Sequence, residues 1–399
     1  MTAEQLIPHG TTPFSDDPYI GRLLKPGQDF IGADGFVSLQ EAVDEIRSSS
    51  KRVILNVGDS STSGWDTRVT VENQERRKNE QPLLSAFFRY ANYSDMLRDR
   101  VGGDFIVLNA GIPGHTSVNT ERRLRGLLDT LGKQAIQVDY VSIYAGNNDC
   151  QWEGNREDKT RLRTSPLIPI FIDRLRLKFF KPDTKHIRLR TNQRDFSRNL
   201  KRMLEACRRH SVAPVVILPE TPLYWEPGKR FVADLFPVDE KIPGGAMVIA
   251  ALKRATERWA AVLDQPWSED KHKALESARE LDFVIPRIKK QYRQLVENIA
   301  RSLEVPLVRT CIPREQDDGA YFVDYCHPIG RANEAIAGKL VEAIEDYESG
   351  RVSKVVARTP LLYRLLDSRF VDVVSGWFSG SRGRTAESDP ENQDIYTLY

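Results

Sequence analysis

Residues 52–61 read RVILNVGDSS. Val53, Ile54, Leu55 and Val57 form a short apolar run ended by Gly58, the pattern of a buried strand. Its carboxyl end delivers a polar loop, Gly58-Asp59-Ser60-Ser61-Thr62-Ser63-Gly64. The same unit recurs along the chain. DFIVLN (104–109) is stopped by Ala-Gly-Ile-Pro-Gly, and DYVSIY (139–144) is stopped by Gly146. APVVIL (213–218) and a short run at 305–308 complete five strands. Apolar spacing predicts helices between them: near 39–46, over 82–98, over 118–131, two or three within 246–303, and a last one over 329–347. Phe196, Leu200, Met203, Leu204 and Cys207 mark one face of another. Strands alternating with helices predict an α/β protein, a three-layer α/β/α sandwich around a central, mainly parallel five-stranded sheet with helical insertions. In such sheets ligands bind beyond the carboxyl ends of the strands.

Bulk composition narrows the function classes. A chain of 399 residues fits one large or two modest domains. At 40% hydrophobic and 29% charged residues it reads as globular, and a net charge of +2 gives no field that would favour nucleic acid. The first residues lack a basic start followed by an apolar run, and no window approaches 18 apolar residues, so a cytoplasmic setting is expected. Cys150, Cys207, Cys311 and Cys326 form no CxxC pair, and the six histidines show no HxxxH or HExxH spacing. Neither a disulfide framework, a metal site nor a cofactor is expected.

The strand ends hold the chemistry. Beside the Ser60 loop stand Asn109-Ala110-Gly111-Ile112-Pro113-Gly114, Gly146-Asn147-Asn148-Asp149 and, after the fifth strand, Asp324-Tyr325-Cys326-His327-Pro328. Together they offer a hydroxyl, an imidazole, a carboxylate, an amide and exposed backbone N–H groups, an inventory suited to acyl transfer. In order and placement these four blocks resemble the SGNH (GDSL-like) hydrolase superfamily of esterases and lipases: a GDS, a later Gly after an Asn-containing strand end, a GxND and a DxxH. The resemblance covers roughly 52–150 and 193–347, and it implies a flavodoxin-like fold and hydrolysis of a carboxylic ester.

It also implies roles. Ser60 becomes the nucleophile, His327 its general base and Asp324 the acid that orients the ring. The oxyanion hole would comprise the Ser60 and Gly114 N–H groups and the Asn148 amide. Each residue also has a plainer reading. Ser60 suits a helix N-cap, His327 a solvent-facing loop, and Asn148 a tight turn. Gly111 competes with Gly114, which spacing from Asn109 favours. His115, Tyr224 and Trp225 are candidates for substrate binding, although His115 also fits a surface loop and the two aromatics also fit the edge of the core. Acyl transfer to another alcohol by the same machinery, or a non-catalytic binding protein on this fold, are the alternatives to hydrolysis of an O-acyl or O-acetyl ester, a lipid ester or a thioester.

The expected organisation is an N-terminal extension (1–50), a hydrolase domain (51–350) with insertions at about 151–192 and 219–280, and a C-terminal amphipathic segment with a disordered tail (351–399). The first insertion carries eleven Arg or Lys against four acids between Arg156 and Arg190. It reads as an amphipathic lid or membrane-surface contact, as an anion-binding wall, or as a helical insertion packed on the body. Leu361 to Phe378 has apolar spacing suited to docking on the body, a partner or a membrane surface.

Overall fold

The computed structural model describes residues 5–7, 14–17, 21–32, 35–65, 79, 87–89, 91–155, 187–228, 238–242, 244–309 and 320–353. Most of the basic insertion, all of 361–378, Cys311 and the tail lie outside these residues.

Three short strands open the chain: β1 (Gln5–Ile7), β2 (Phe14–Asp17) and β3 (Gly21–Leu24). Then follow β4 (Phe30–Ile31), β5 (Phe36–Val37), helix α1 (Leu39–Ser48), the central strand β6 (Arg52–Val57), the one-turn α2 (Ser60–Ser63), β7 (Phe87–Arg89) and α3 (Tyr93–Val101). The body continues with β8 (Phe105–Asn109), α4 (Ser117–Lys133), β9 (Tyr140–Tyr144), α5 (Gln193–Arg209) and β10 (Ala213–Leu218). It ends with α6 (Gly245–Val262), α7 (Glu269–Leu281), α8 (Lys290–Ser302), β11 (Leu307–Arg309) and α9 (Gly330–Glu348).

Period-two alternation along the strands builds two cores. Val53, Leu55 and Val57 of β6 enter one apolar cluster with α1, α4, α5 and α8, whereas Ile54 enters a second with α3 and α9. Fully burying each such side chain is worth about 1.5–3 kcal/mol, so both faces of the sheet contribute substantially to the fold. The one polar side chain facing out of the middle of β6, Asn56, is satisfied in place. Its amide donates to Ser94 Oγ at 3.0 Å and its carbonyl accepts from Ser142 Oγ at 2.6 Å.

Among the described residues the sheet has seven strands in the order β11-β10-β9-β6-β8-β4-β5. The five long ones are parallel, as the alternating pattern requires. The two extra strands, two residues each, are antiparallel additions at the β8 edge and are too short to leave a periodic signal. From β6 the chain moves to β8 on one side and then returns to β9 on the other. This reversal opens a crevice at the carboxyl ends of β6 and β9, where ligands bind in open sheets.

One helix differs from the sequence reading. The segment expected to be helical over 82–98 contains β7, paired antiparallel with β1, and the helix begins only at Tyr93. Asn92 sets that start: its side chain accepts from the Ser94 and Asp95 N–H groups while Asp95 returns a bond to the Asn92 N–H. This reciprocal cap fixes where a helix begins more firmly than the apolar residues before it. Among the described residues no helix is long and apolar enough to cross a membrane.

Candidate active site

Ser60 is the first residue of α2. The N-cap is Asp59, whose carboxylate accepts the Ser61 N–H at 2.9 Å, so the capping role considered for Ser60 belongs to its neighbour. Gly58 allows the sharp turn from β6. A Cβ there would lie 2.1 Å from Thr62 Oγ1 and 2.7 Å from the Tyr144 carbonyl. The turn is held from the far end as well, because the Thr62 carbonyl accepts from the amides of both Asn92 (2.5 Å) and Asn109 (2.7 Å).

His327 arrives from the loop between β11 and α9. Asp324 Oδ1 accepts the backbone N–H groups of Cys326 (2.8 Å) and His327 (2.9 Å), which folds the loop back on itself. The Val323 N–H then donates to the His327 carbonyl at 3.0 Å. The remaining carboxylate oxygen, Asp324 Oδ2, lies 2.6 Å from His327 Nδ1, and His327 Nε2 lies 2.6 Å from Ser60 Oγ. An ionised carboxylate only accepts, so the network assigns the ring proton to Nδ1 and leaves the Nε2 lone pair facing the serine hydroxyl. The groups are enclosed: Ser60 is 8% exposed, and His327 and Asp324 are each 2% exposed. His327 is therefore no solvent-facing loop histidine.

Gly114 and Gly111 separate by conformation. Gly114 adopts a φ of +81°, which favours glycine. Gly111 instead packs against the Ser60–Ser63 turn, where a Cβ would meet the Ser63 nitrogen at 2.5 Å. Asn148 is buried, and its amide donates to the His115 carbonyl at 3.0 Å and to Asp59 Oδ2 at 3.4 Å. The neighbouring Asp149 accepts the Ser117 N–H and hydroxyl at the start of α4, tying this strand end to that helix. Burial pushes the Asp59 carboxyl up to about 6, and burial raises Asp149 as well.

The remaining candidates take different places. His115 is buried and gives its N–H to the Ile112 carbonyl at 3.2 Å. The Trp225 ring meets Tyr325 edge-on at 6.3 Å, and Tyr325 meets the His327 ring at 5.8 Å. With Ile285 and Cys326 these form a small apolar cluster against the imidazole. Tyr224 carries the Lys271 ammonium 5.3 Å over its ring.

Two positioning elements escaped the sequence reading. Arg190 donates to the Gly114 carbonyl at 3.0 Å and to Gln151 Oε1 at 3.3 Å. It stands in a basic run where nothing in the spacing distinguishes it. Arg123 donates from Nε to the Ala110 carbonyl at 3.0 Å and so braces the same glycine loop from α4.

The family model described as "GDSL-like Lipase/Acylhydrolase family" matches residues 57–266, just over half of the chain. No curated protein matches. Among solved structures, a GDSL-like lipase from Bacteroides thetaiotaomicron is similar at 14% identity and a TM-score of 0.36, with 77% of this chain and 97% of that one covered. A carbohydrate acetylesterase family member from Sinorhizobium meliloti gives 15%, 0.37, 75% and 99% for the same measures. An acetyl xylan esterase, AlAXEase, gives 11%, 0.37, 73% and 99%.

Proposed function

This chain belongs to the GDSL-like lipase/acylhydrolase family, and we propose that it cleaves a carboxylic ester through a seryl-acyl intermediate on Ser60. The observation that carries this reading is the unbroken relay of two 2.6 Å contacts from Ser60 Oγ through His327 to Asp324. Ser60 Oγ attacks the ester carbonyl carbon as its proton passes to His327 Nε2. Asp324 holds the imidazolium that forms. The carbonyl oxygen becomes an oxyanion, collapse expels the alcohol, and the imidazolium returns its proton to that leaving group. Water then attacks the acyl-enzyme with His327 again as base, releasing the acid and regenerating Ser60.

The oxyanion is assigned to the Ser60 and Gly114 N–H groups and the Asn148 amide. As the first residue of a helix, Ser60 has no intrahelical acceptor for its N–H. Asn148 gives up its longer contact, to Asp59, when it turns to substrate. The Trp225–Tyr325 wall beside His327 suits an acyl chain or a sugar ring, which keeps O-acyl sugars, lipid esters and thioesters all within the substrate class.

Steady-state hydrolysis of a panel of short- and long-chain acyl esters tests the reading. Ser60→Ala is expected to lose on the order of 10⁴–10⁶ in kcat, and Asn148→Ala on the order of 10²–10³ with a smaller change in KM. Undiminished turnover in folded Ser60→Ala would refute the assignment.

A further inference from the structure

Gln151 stands three residues beyond Asn148 and is buried. The chain around it, 149–153, runs between two other segments. On one side the Arg190 N–H donates to the Gln151 carbonyl at 2.8 Å, the Glu153 N–H to the Arg188 carbonyl at 2.8 Å and the Thr191 N–H to the Asp149 carbonyl at 3.2 Å. On the other side the Trp152 N–H donates to the Phe283 carbonyl at 2.8 Å, and the Gln151 side-chain amide donates to the Val284 carbonyl at 3.0 Å. The Val284 side is rigid for a local reason. Asp282 Oδ1 accepts the Val284 and Ile285 N–H groups at 3.1 and 3.3 Å, while Oδ2 takes the Arg287 guanidinium at 2.8 Å. Lys289 Nζ holds the Asp282 carbonyl at 2.6 Å.

The oxygen end of the Gln151 amide faces the glycine loop. Gln151 Oε1 accepts from Arg190 Nη1 at 3.3 Å, and Arg190 Nη2 donates to the Gly114 carbonyl at 3.0 Å. The next carbonyl along, that of His115, accepts from the Asn148 amide at 3.0 Å. A ring therefore closes: Asn148, the Gly114–His115 stretch, Arg190, Gln151, and the chain back to Asn148. Gly114 sits at a φ of +81° and has no Cβ, so no side-chain packing holds its conformation. Its carbonyl is the handle that neighbours can grip.

We infer that Gln151 is a positioning residue for ester cleavage: anchored on the Val284 carbonyl, it aims the Arg190 guanidinium and so fixes the Gly114 loop relative to Asn148. The inference rests on the oxyanion roles proposed above for Gly114 and Asn148. Oxyanion donors act through placement, and a shift of about 1 Å can cost on the order of a hundredfold in rate. Both ends of the amide take part. Its NH₂ fixes the side chain, and its oxygen orients the guanidinium. The backbone bonds between 149–153 and 188–191 do not need this side chain. Removing it leaves the course of the chain in place while the guanidinium loses one of its guides, which separates an effect on placement from an effect on folding.

The test is a double-mutant cycle on the full chain, read by steady-state hydrolysis of short-chain acyl esters. Gln151→Met removes both side-chain contacts at similar volume. It is expected to lower kcat about tenfold with KM within about twofold of wild type. In an Arg190→Ala background the same change is expected to lower kcat by less than about threefold, because the link to Gly114 is already cut. A residue that merely supports the fold would give independent losses, about a hundredfold for the pair. Gln151→Glu keeps the oxygen for Arg190 and loses the donor to Val284. It is expected to lose about threefold in kcat, and it carries the cycle should Gln151→Met not fold. Independent losses, an unchanged kcat in folded Gln151→Met, or a raised KM with kcat intact would overturn the inference. Fluorophosphonate labelling of the wild type reads the proposed function separately. A wild type that neither labels at Ser60 nor hydrolyses esters overturns that function and this inference with it, whereas an active wild type with an undiminished Gln151→Met overturns this inference alone.

Discussion

Asp59 joins the Ser60 turn to Asn148, because it caps α2 and accepts from the Asn148 amide. Its folded-state acidity near 6 stands above the ordinary 3.8, chiefly through burial. The native state therefore holds this proton more tightly than the unfolded chain does. The Asp59 contribution must weaken stability as pH rises from about 4 to 6, by about 3 kcal/mol in all. Asp59→Asn keeps the capping oxygen without the charge. Its unfolding free energy relative to wild type is expected to climb by roughly that amount between pH 4 and pH 7. A pH-independent difference in urea unfolding would contradict this. At this scale the sequence is most informative where a residue stands in a strand-end motif. Ser60, Asn148, Asp324 and His327 all stand out that way; the structure joins the side chains of Ser60, His327 and Asp324 and sets the Asn148 amide against Asp59, next to Ser60. Arg190 and the Trp225–Tyr325 contact are not legible, because they depend on distant segments meeting in space.

The elements position the site through tight approaches and caps. Gly58→Ala would force a methyl group into Thr62 and the Tyr144 carbonyl. A loss of about 1–3 kcal/mol is expected from overpacking, measured as a lower midpoint in urea. Arg190 connects the return of the basic insertion to the Gly114 carbonyl. Arg190→Ala is expected to lower kcat roughly tenfold, about 1.4 kcal/mol of transition-state stabilisation, with little change in KM. Arg190→Lys is expected to recover part of it, since a lysine reaches one carbonyl but not the paired contact with Gln151. An equal rise in KM with kcat intact would instead indicate a role in substrate binding. The boundaries of β6 and β10 follow directly from their apolar runs. The start of α3 is obscured for a local reason: Asn92 and Asp95 spell a cap, but Leu83, Leu84, Phe87 and Phe88 before them have the i, i+4 spacing of a helix.

Across the whole molecule, the parallel sheet and its two helical layers are readable from alternation alone, while the edge is not. Phe30, in a two-residue strand, is buried with Ala42 and Val43 of α1 in the same core as the centre of the sheet. Residues 30–48 thus contribute to the body of the fold. Phe30→Ala is expected to cost about 3–5 kcal/mol in chemical unfolding, and a cost under 1 kcal/mol would mean this segment is dispensable. A second buried anchor, the Asp282–Arg287 pair at 2.8 Å, ties the loop before α8 to the one after β10 through the Pro222 carbonyl. The same loop places Ile285 in one apolar cluster with Tyr325, Cys326 and Trp225.

The most direct measurement is reaction of the folded protein with a fluorophosphonate, followed by peptide mass spectrometry. The expected result is a single adduct on Ser60 that disappears in His327→Ala. An adduct on another residue, or undiminished labelling without the imidazole, would contradict the relay from Asp324 to Ser60.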